Sequence, residues 1–338
     1  MKFAFAIIVL TVLSFSLTKI IQVIAQKKKI IDIPNYRSSH DTPTPRGGGL
    51  AIACIWYSLI SLLFITNRIE DNLYFALISG IVISIVSLID DLRDVPPYIR
   101  ITAQFMSVSV SLFFLGGLET VDLGFAVYSV PWFLNIVVLC AWIWCINLFN
   151  FMDGIDGYLG MEGIFIFLSL FLFTGDYLLL LLVPIILGFL FLNWPKAKIF
   201  SGDTGSTLIG FSFMVFAIYY QNSRKISIIV PLILNGLFWM DATITLLRRL
   251  MNNEKLILAH NKHAYQRLVR GGYTHLKVLT IGTVINLFII AITLLFHFYL
   301  PNLILIALFL QIIIVMRFIR FADSKRKFKQ VVGNVQNM

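Results

Sequence analysis

Charge is scarce in this sequence. Only 13% of its 338 residues are Asp, Glu, Lys or Arg, about half the share of an average soluble domain. That scarcity argues against a soluble domain. Cysteine is scarce too. Cys54, Cys140 and Cys145 each sit in an apolar run, so neither a disulfide framework nor a thiolate metal site is expected. Acidic residues number 17 against 27 basic ones. The basic residues punctuate apolar stretches rather than building a basic face, so nucleic acid is not an expected partner. No cleavable leader is evident: Lys2 makes a thin positive region, and Phe3 to Ala25 is long enough to span a bilayer and has no clear small-residue cleavage site. No internal repeat is apparent, which weakens the case for a transporter built from repeated halves.

What fills the chain is apolar. Hydrophobic residues make up 59% of it, and the mean hydropathy is +0.88. The runs predict eleven spans, at about 3–25, 47–66, 73–89, 99–116, 131–149, 158–174, 176–193, 205–221, 226–247, 277–297 and 301–320. Besides Lys2, only Arg68, Arg224 and Lys225 are basic residues on one side of this arrangement; the other 23 of the 27 lie in or beside the opposite connections. The positive-inside rule makes those connections cytoplasmic. The expected fold is an all-α polytopic membrane protein of about eleven transmembrane helices, with the N-terminus outside and the C-terminus cytoplasmic. Residues 1–320 form one membrane domain, and 321–338 a basic cytoplasmic tail.

The densest polar stretch is Asn147-Leu148-Phe149-Asn150-Phe151-Met152-Asp153-Gly154-Ile155-Asp156-Gly157, which ends a charge-free apolar run. Its two amides and two carboxylates recur every three residues, near one helical face. Such a set suits a hard cation or polar ligand at the membrane surface, whereas the plainer alternative is a helix cap and a glycine turn. Asp90-Asp91 ends another span, where adjacent like charges raise each other's proton affinity unless a cation or solvent relieves them. A base or metal-proximal pair and a solvated interfacial pair both fit. Lys196 and Lys198 precede Gly202-Asp203-Thr204-Gly205-Ser206, a basic strip beside a helix start that suits a metal–diphosphate. His260, His263, Gln266 and Arg267 occupy the longest basic loop. They fit a diphosphate clamp, or else a patch that binds anionic lipid. With Arg37 to Gly49, these five clusters all follow odd-numbered spans and so share one membrane face, as a composite site would require.

In order, Ser38-Ser39-His40 with Thr42-Pro43-Thr44-Pro45-Arg46-Gly47-Gly48, Asp90-Asp91, the Asn147–Gly157 stretch, and Asn193 with Phe200-Ser201-Gly202-Asp203-Thr204-Gly205-Ser206 resemble the polyprenyl-phosphate N-acetylhexosamine-1-phosphate transferases. The resemblance runs from Arg37 to about His275. It implies transfer of a sugar-1-phosphate from a UDP-N-acetylhexosamine to undecaprenyl phosphate, with release of UMP, in the bacterial cytoplasmic membrane. It implies Mg²⁺ (or Mn²⁺) held by Asn150 and Asp203, and Asp90, paired with Asp91, as the base toward the lipid phosphate. Asp153 and Asp156 correspond to nucleotide-site carboxylates, and Phe200 to the ring that stacks on uracil. Arg46, Asn147, Lys196, Lys198, His260 and Gln266 are expected substrate contacts, with His263 and Arg267 clamping the leaving phosphate. A homodimer is a further expectation.

Many relatives carry His-x-His-His-Arg where this chain reads His263-Ala264-Tyr265-Gln266-Arg267. The difference looks more like the branch that initiates O-antigen units than the phospho-MurNAc-pentapeptide transferase of peptidoglycan synthesis, which stands as the alternative. A transporter or lipid flippase would place polar residues in mid-span, and a membrane scaffold would need no carboxylate–amide cluster. Here Asp241, Gln104 and Arg317 are the main polar exceptions, all near span ends.

Overall fold

A computed structural model describes residues 2–34, 38–256, 258 and 260–328; Arg37 and the tail beyond residue 328 lie outside them. The apolar runs become helices because a backbone surrounded by hydrocarbon must satisfy its own N–H and C=O groups. In order these are α1 (Lys2–Lys27), α2 (Gly49–Ile65), α3 (Asp71–Ile78), α4 (Ile81–Leu92), α5 (Pro97–Leu115), α6 (Pro131–Phe151) and α7 (Tyr158–Thr174). They are followed by α8 (Tyr177–Asn193), α9 (Asp203–Asn222), α10 (Ile229–Leu234), α11 (Gly236–Met251), α12 (Ala264–Arg270), α13 (His275–Tyr299) and α14 (Ile304–Lys325). Six segments are long and apolar enough to cross a membrane, and α2, α7 and α8 are shorter apolar helices. The chain is a polytopic membrane protein.

Each expected span falls on a helix, but two of them are broken. The first break, between α3 and α4, lies at Ser79-Gly80. There Ser79 Oγ turns to the Ala76 carbonyl at 2.9 Å and to Ser111 Oγ at 2.8 Å, and Gly80 admits the Phe211 ring. The second lies at Asn235, between α10 and α11. Four two-residue strands qualify the all-α expectation: β1 (Ile31–Asp32) pairs antiparallel with β2 (Thr44–Pro45), and β3 (Val121–Asp122) with β4 (Val127–Tyr128).

Helix α9 is the centre of the bundle. It is buried on nearly every side and packs against α2 to α7, as an all-round apolar helix should. Small residues set the spacing, since close helix approach in membranes needs side chains that do not intervene. Gly210 lies against the Phe149 ring, and Gly49 meets Gly205 backbone to backbone. Two backbone bonds on the same side, from Gly48 N to the Phe200 carbonyl at 2.8 Å and from Gly49 N to the Ser201 carbonyl at 2.7 Å, stitch the start of α2 to the start of α9.

One buried carboxyl stands out from the nearly charge-free spans. Glu162 of α7 is 3% exposed and accepts a hydrogen bond from Asn286 Nδ2 of α13 at 2.6 Å. Asp241, Gln104 and Arg317 are therefore not the only marked polar exceptions.

A Cβ at Gly49 would sit 2.2 Å from the Gly205 backbone nitrogen, whereas one at Gly160 would meet only the flexible Leu190 side chain at 3.0 Å. Gly49→Ala should therefore lose about 1–3 kcal/mol of stability, the usual scale of overpacking, and Gly160→Ala much less. Thermal unfolding in detergent compares the two; equal midpoints would show that the helix starts can part.

Candidate active site

Loops distant in sequence enclose one cavity of about 340 Å³, a volume suited to a small ligand. Its walls come from Asp32 and Ser38 to Arg46, from Asn150 to Asp156, from Asn193 to Asp203, and from His260, Gln266 and His275. Four of the five polar clusters thus face a common space. The fifth, Asp90-Asp91, does not line it but reaches it through hydrogen bonds.

Asp91 makes that connection. One carboxylate oxygen accepts from Asp203 N at 2.8 Å; the other accepts from Thr204 N at 3.2 Å and from Thr204 Oγ1 at 2.9 Å. These are the unpaired donors at the start of α9, so Asp91 caps a helix 112 residues away. Gly202, at φ 72°, brings the turn so close that a Cβ there would lie 2.5 Å from the same carboxylate. Arg46 Nε lies 2.9 Å from Asp91, and its terminal nitrogen 2.5 Å from Asp203. Both Asp91 oxygens are occupied by positioning bonds, so its place is beneath the site. Asp90 accepts from Val95 N at 2.7 Å and Arg100 Nη1 at 2.9 Å and also reaches the Asp203 carboxyl, and Arg100 in turn lies 3.6 Å from Asp203. Arg100 carries no sequence signal beyond standing one helical turn into a span beside the Asp90-Asp91 corner.

Asn150 donates to Ser206 Oγ at 3.2 Å, and its amide also reaches the Asp203 carboxylate. Carboxylate and amide therefore touch at the cavity wall, and Asp153 stands beside them, hydrogen-bonded by the Ser201 hydroxyl. Asn147 lies one turn further into the helix, where it exchanges hydrogen bonds with Gln104 and donates to the Ile143 carbonyl at 2.7 Å. It does not line the cavity.

Asp156 organises the opposite wall. Its Oδ2 accepts from Lys196 N at 3.0 Å and Ala197 N at 3.2 Å, and lies 3.1 Å from His275 Nδ1. Burial opposes ionisation of Asp156, but these hydrogen bonds outweigh it and hold the carboxyl below its ordinary range. The Lys196 and Lys198 side chains are exposed and do not line the cavity; of the basic strip, the Lys196 backbone does the positioning. His275 Nε2 lies 2.8 Å from the Ser39 carbonyl. A carbonyl only accepts, so Nε2 carries the proton and His275 ties the Ser39 loop to Asp156. Sequence reasoning had not singled out His275; its one signal is a histidine at the first turn of a span. Phe200 lines the cavity edge-on to His40, with ring centroids 4.8 Å apart.

The 260–270 loop divides. His260 and Gln266 reach the cavity, and His263 and Arg267 do not. Burial, aided by the nearby charges of His263, Arg249 and Lys262, pushes the His260 imidazole down to about 2, so the ring is neutral. His263 stands at the start of α12, where Asp241 caps the helix by accepting from Ala264 N at 2.7 Å and Tyr265 N at 3.3 Å. Arg267 is fully buried. It donates to the Lys262 carbonyl at 3.0 Å and pairs with Asp323 of α14. In this arrangement it tethers α12 to α14.

Residues 73–221 match the family described as Glycosyl transferase family 4. A Bacillus subtilis protein named probable undecaprenyl-phosphate N-acetylglucosaminyl 1-phosphate transferase is 30% identical over 293 residues, covering 80% of this chain and 78% of its own length. This chain belongs to the polyprenyl-phosphate hexosamine-1-phosphate transferases. Proteins named undecaprenyl-phosphate alpha-N-acetylglucosaminyl 1-phosphate transferase from Yersinia pestis and Escherichia coli are 29% and 26% identical. They cover 74% and 85% of this chain, and the matches span 72% and 82% of their own lengths.

In this family member Asp90, Asp91 and Asp153 crowd Asp203, with Arg46 and Arg100 opposite them. Asp153 feels burial most, then the opposing Ser201 hydrogen bond and the nearby Asp203 charge, and its carboxyl is pushed up to about 8. The sign of the pH effect follows. Below the ordinary value of 3.8 the group is protonated in both the folded and unfolded chain. Between there and about 8 only the unfolded chain ionises, so the folded state binds the extra proton and stability falls as pH rises. Asp153→Asn should flatten that part of the ligand-free stability curve, measured as unfolding midpoint against pH in detergent. An unchanged slope would show that Asp153 is ionised in the folded protein.

Proposed function

We propose that this transferase moves N-acetylglucosamine-1-phosphate from its UDP-sugar to undecaprenyl phosphate, releasing UMP, and so initiates a lipid-linked cell-surface polysaccharide such as O-antigen. The relatives' names support the acceptor and the sugar. The contact between Asp203 and Asn150 at the wall of a cavity shared by four loops carries the reading. On the charge distribution, the cavity face is the cytoplasmic one of the bacterial inner membrane, with about eleven crossings, the N-terminus outside and the basic tail inside.

The chemistry follows from where the two substrates live. A polyprenyl acceptor is confined to the bilayer and a nucleotide donor to water, so they meet only at the interface, where the helix ends hold the site. Phosphoryl transfer asks mainly for positioning and charge neutralisation. The residues present fit a hard divalent cation. The Asp203 carboxylate and the neighbouring Asn150 amide, whose nitrogen donates to Ser206 Oγ, are the candidate oxygen donors. That spare donor set suits Mg²⁺ or Mn²⁺, which can share their sphere with water and phosphate oxygens. When bound, the ion neutralises charge on the donor diphosphate. Arg46 and Arg100 partly offset the charges of Asp91 and Asp203, Phe200 and His40 offer rings to the uracil, and Asp156 with His275 fixes the nucleotide side. The Asp90–Arg100 pair lies on the side of the membrane boundary, where the acceptor phosphate arrives. There Asp90 accepts its proton or holds it in register.

Purified protein should release UMP from UDP-N-acetylglucosamine only when undecaprenyl phosphate and a divalent cation are both present, and a panel of UDP-N-acetylhexosamines tests the donor. Asp203→Asn should abolish turnover with the fold retained; normal turnover with the same cation requirement would remove Asp203 from the metal site.

Asp90→Asn should lower kcat far more than it weakens UDP-sugar binding. An equal collapse of donor affinity, followed by titration of a fluorescent donor, would make Asp90 a nucleotide or metal contact.

A further inference from the structure

A second cavity, of about 440 Å³, opens at the opposite ends of the helices. The β3–β4 hairpin, the turn between α9 and α10, and the junction of α13 and α14 build it. Arg224, Lys225, His297, Gln221, Ser227 and Asp122 are among its lining residues.

Its charge is unusual for its position. Apart from Lys2, the helix ends on this side carry three basic residues, and two of the three, Arg224 and Lys225, line this one cavity. Lys225 leans toward Asp176, 3.9 Å away. Arg224 forms no ion pair among the described residues. The Asp122 carboxylate is engaged by Gly124 N at 2.7 Å, within its own turn. One guanidinium is thus left to answer an anion from outside. Arg224 follows the end of α9 at φ 55°, the same left-handed turn that follows α1, α2 and α11 at Lys29, Asn67 and Asn253.

The depth of the cavity identifies the occupant. Phe125, Tyr128, Trp132 and Tyr299 stand exposed around the same helix ends, and exposed aromatic rings of this kind mark the head-group level of a bilayer. We propose that this cavity binds the phosphate group of an anionic membrane lipid from the leaflet opposite the catalytic cavity, with Arg224 as its main contact and Lys225 as support. An arginine fork recognises a phosphate through paired, charge-assisted hydrogen bonds. The bilayer presents such phosphates at this height, already concentrated in two dimensions.

The test uses full-length protein in nanodiscs of phosphatidylcholine alone, of phosphatidylcholine with increasing phosphatidylglycerol, and of phosphatidylcholine with inorganic phosphate in the buffer. Unfolding midpoints and lipid retained in native mass spectrometry are read without any transfer assay, so the result is independent of the proposed reaction. Phosphatidylglycerol should raise the wild-type midpoint and remain bound. Arg224→Gln should need about tenfold more of it, roughly one charge-assisted contact, Lys225→Gln should show a smaller loss, and Arg224→Lys should fall between wild type and Arg224→Gln. Arg68→Gln, on the same face outside the cavity, should match wild type. The proposal is overturned if Arg224→Gln responds as wild type does, or if Arg68→Gln is weakened as much. It is overturned equally if inorganic phosphate alone reproduces the effect, which would make the site one for free phosphate.

Discussion

The carboxylate of Asp91 is the joint on which the larger polar site, the cavity at the start of α9, depends. It ends α4, caps the first turn of α9 and receives Arg46 from the loop before α2. A buried carboxylate is stable only when donors surround it, and here those donors belong to the segments that must converge. The cap and the ion pair therefore set where Asp203 stands relative to Asn150. The same device recurs: Asp241 of α11 caps α12, and Asp156 gathers the turn at 196–197 with His275. In each case a carboxylate satisfies backbone N–H groups on another element, 23 to 113 residues away.

Close backbone approach is the second condition. The starts of α2 and α9 touch because Gly49 and Gly205 leave no side chain between them, and Gly202 lets the turn fold onto Asp91. Glycine at these points costs conformational entropy in the unfolded chain, and the packed bundle around α9 offsets it. The cavity is thus held by helix ends locked to one another rather than by loops alone, and this suits a reaction in which positioning supplies most of the catalysis.

Electrostatics divide the molecule along the membrane normal. On the face with the Asp203 cavity, Asp91, Asp153 and Asp203 crowd around Arg46 and Arg100, and burial keeps the Asp153 carboxyl reluctant to ionise. Such a cluster gains from a cation or from cationic side chains, and it is relieved when either arrives. The opposite face has few charges, so the placement of a single arginine there carries more weight than it would in a soluble protein.

The sequence by itself determined the membrane class, the extents of the apolar helices and the grouping of polar clusters at alternate span ends. Long uncharged runs leave a chain few alternatives to helices in a bilayer, and such runs are local in sequence. The residues around Asn150, Asp153, Asp156, Phe200 and Asp203 were legible for the same reason, since their chemistry is packed into short motifs. Tertiary structure alone decided the breaks at Ser79-Gly80 and Asn235, the capping work of Asp91 and Asp241, the parts of Arg100 and His275, and the turning of Arg267 toward Asp323. Each of these depends on a partner that only packing supplies, often more than fifty residues away, as for Asp91 with Thr204 and Arg267 with Asp323. A side chain's type shows what it can bond to; which partner comes within 3 Å is set by how the helices pack around α9.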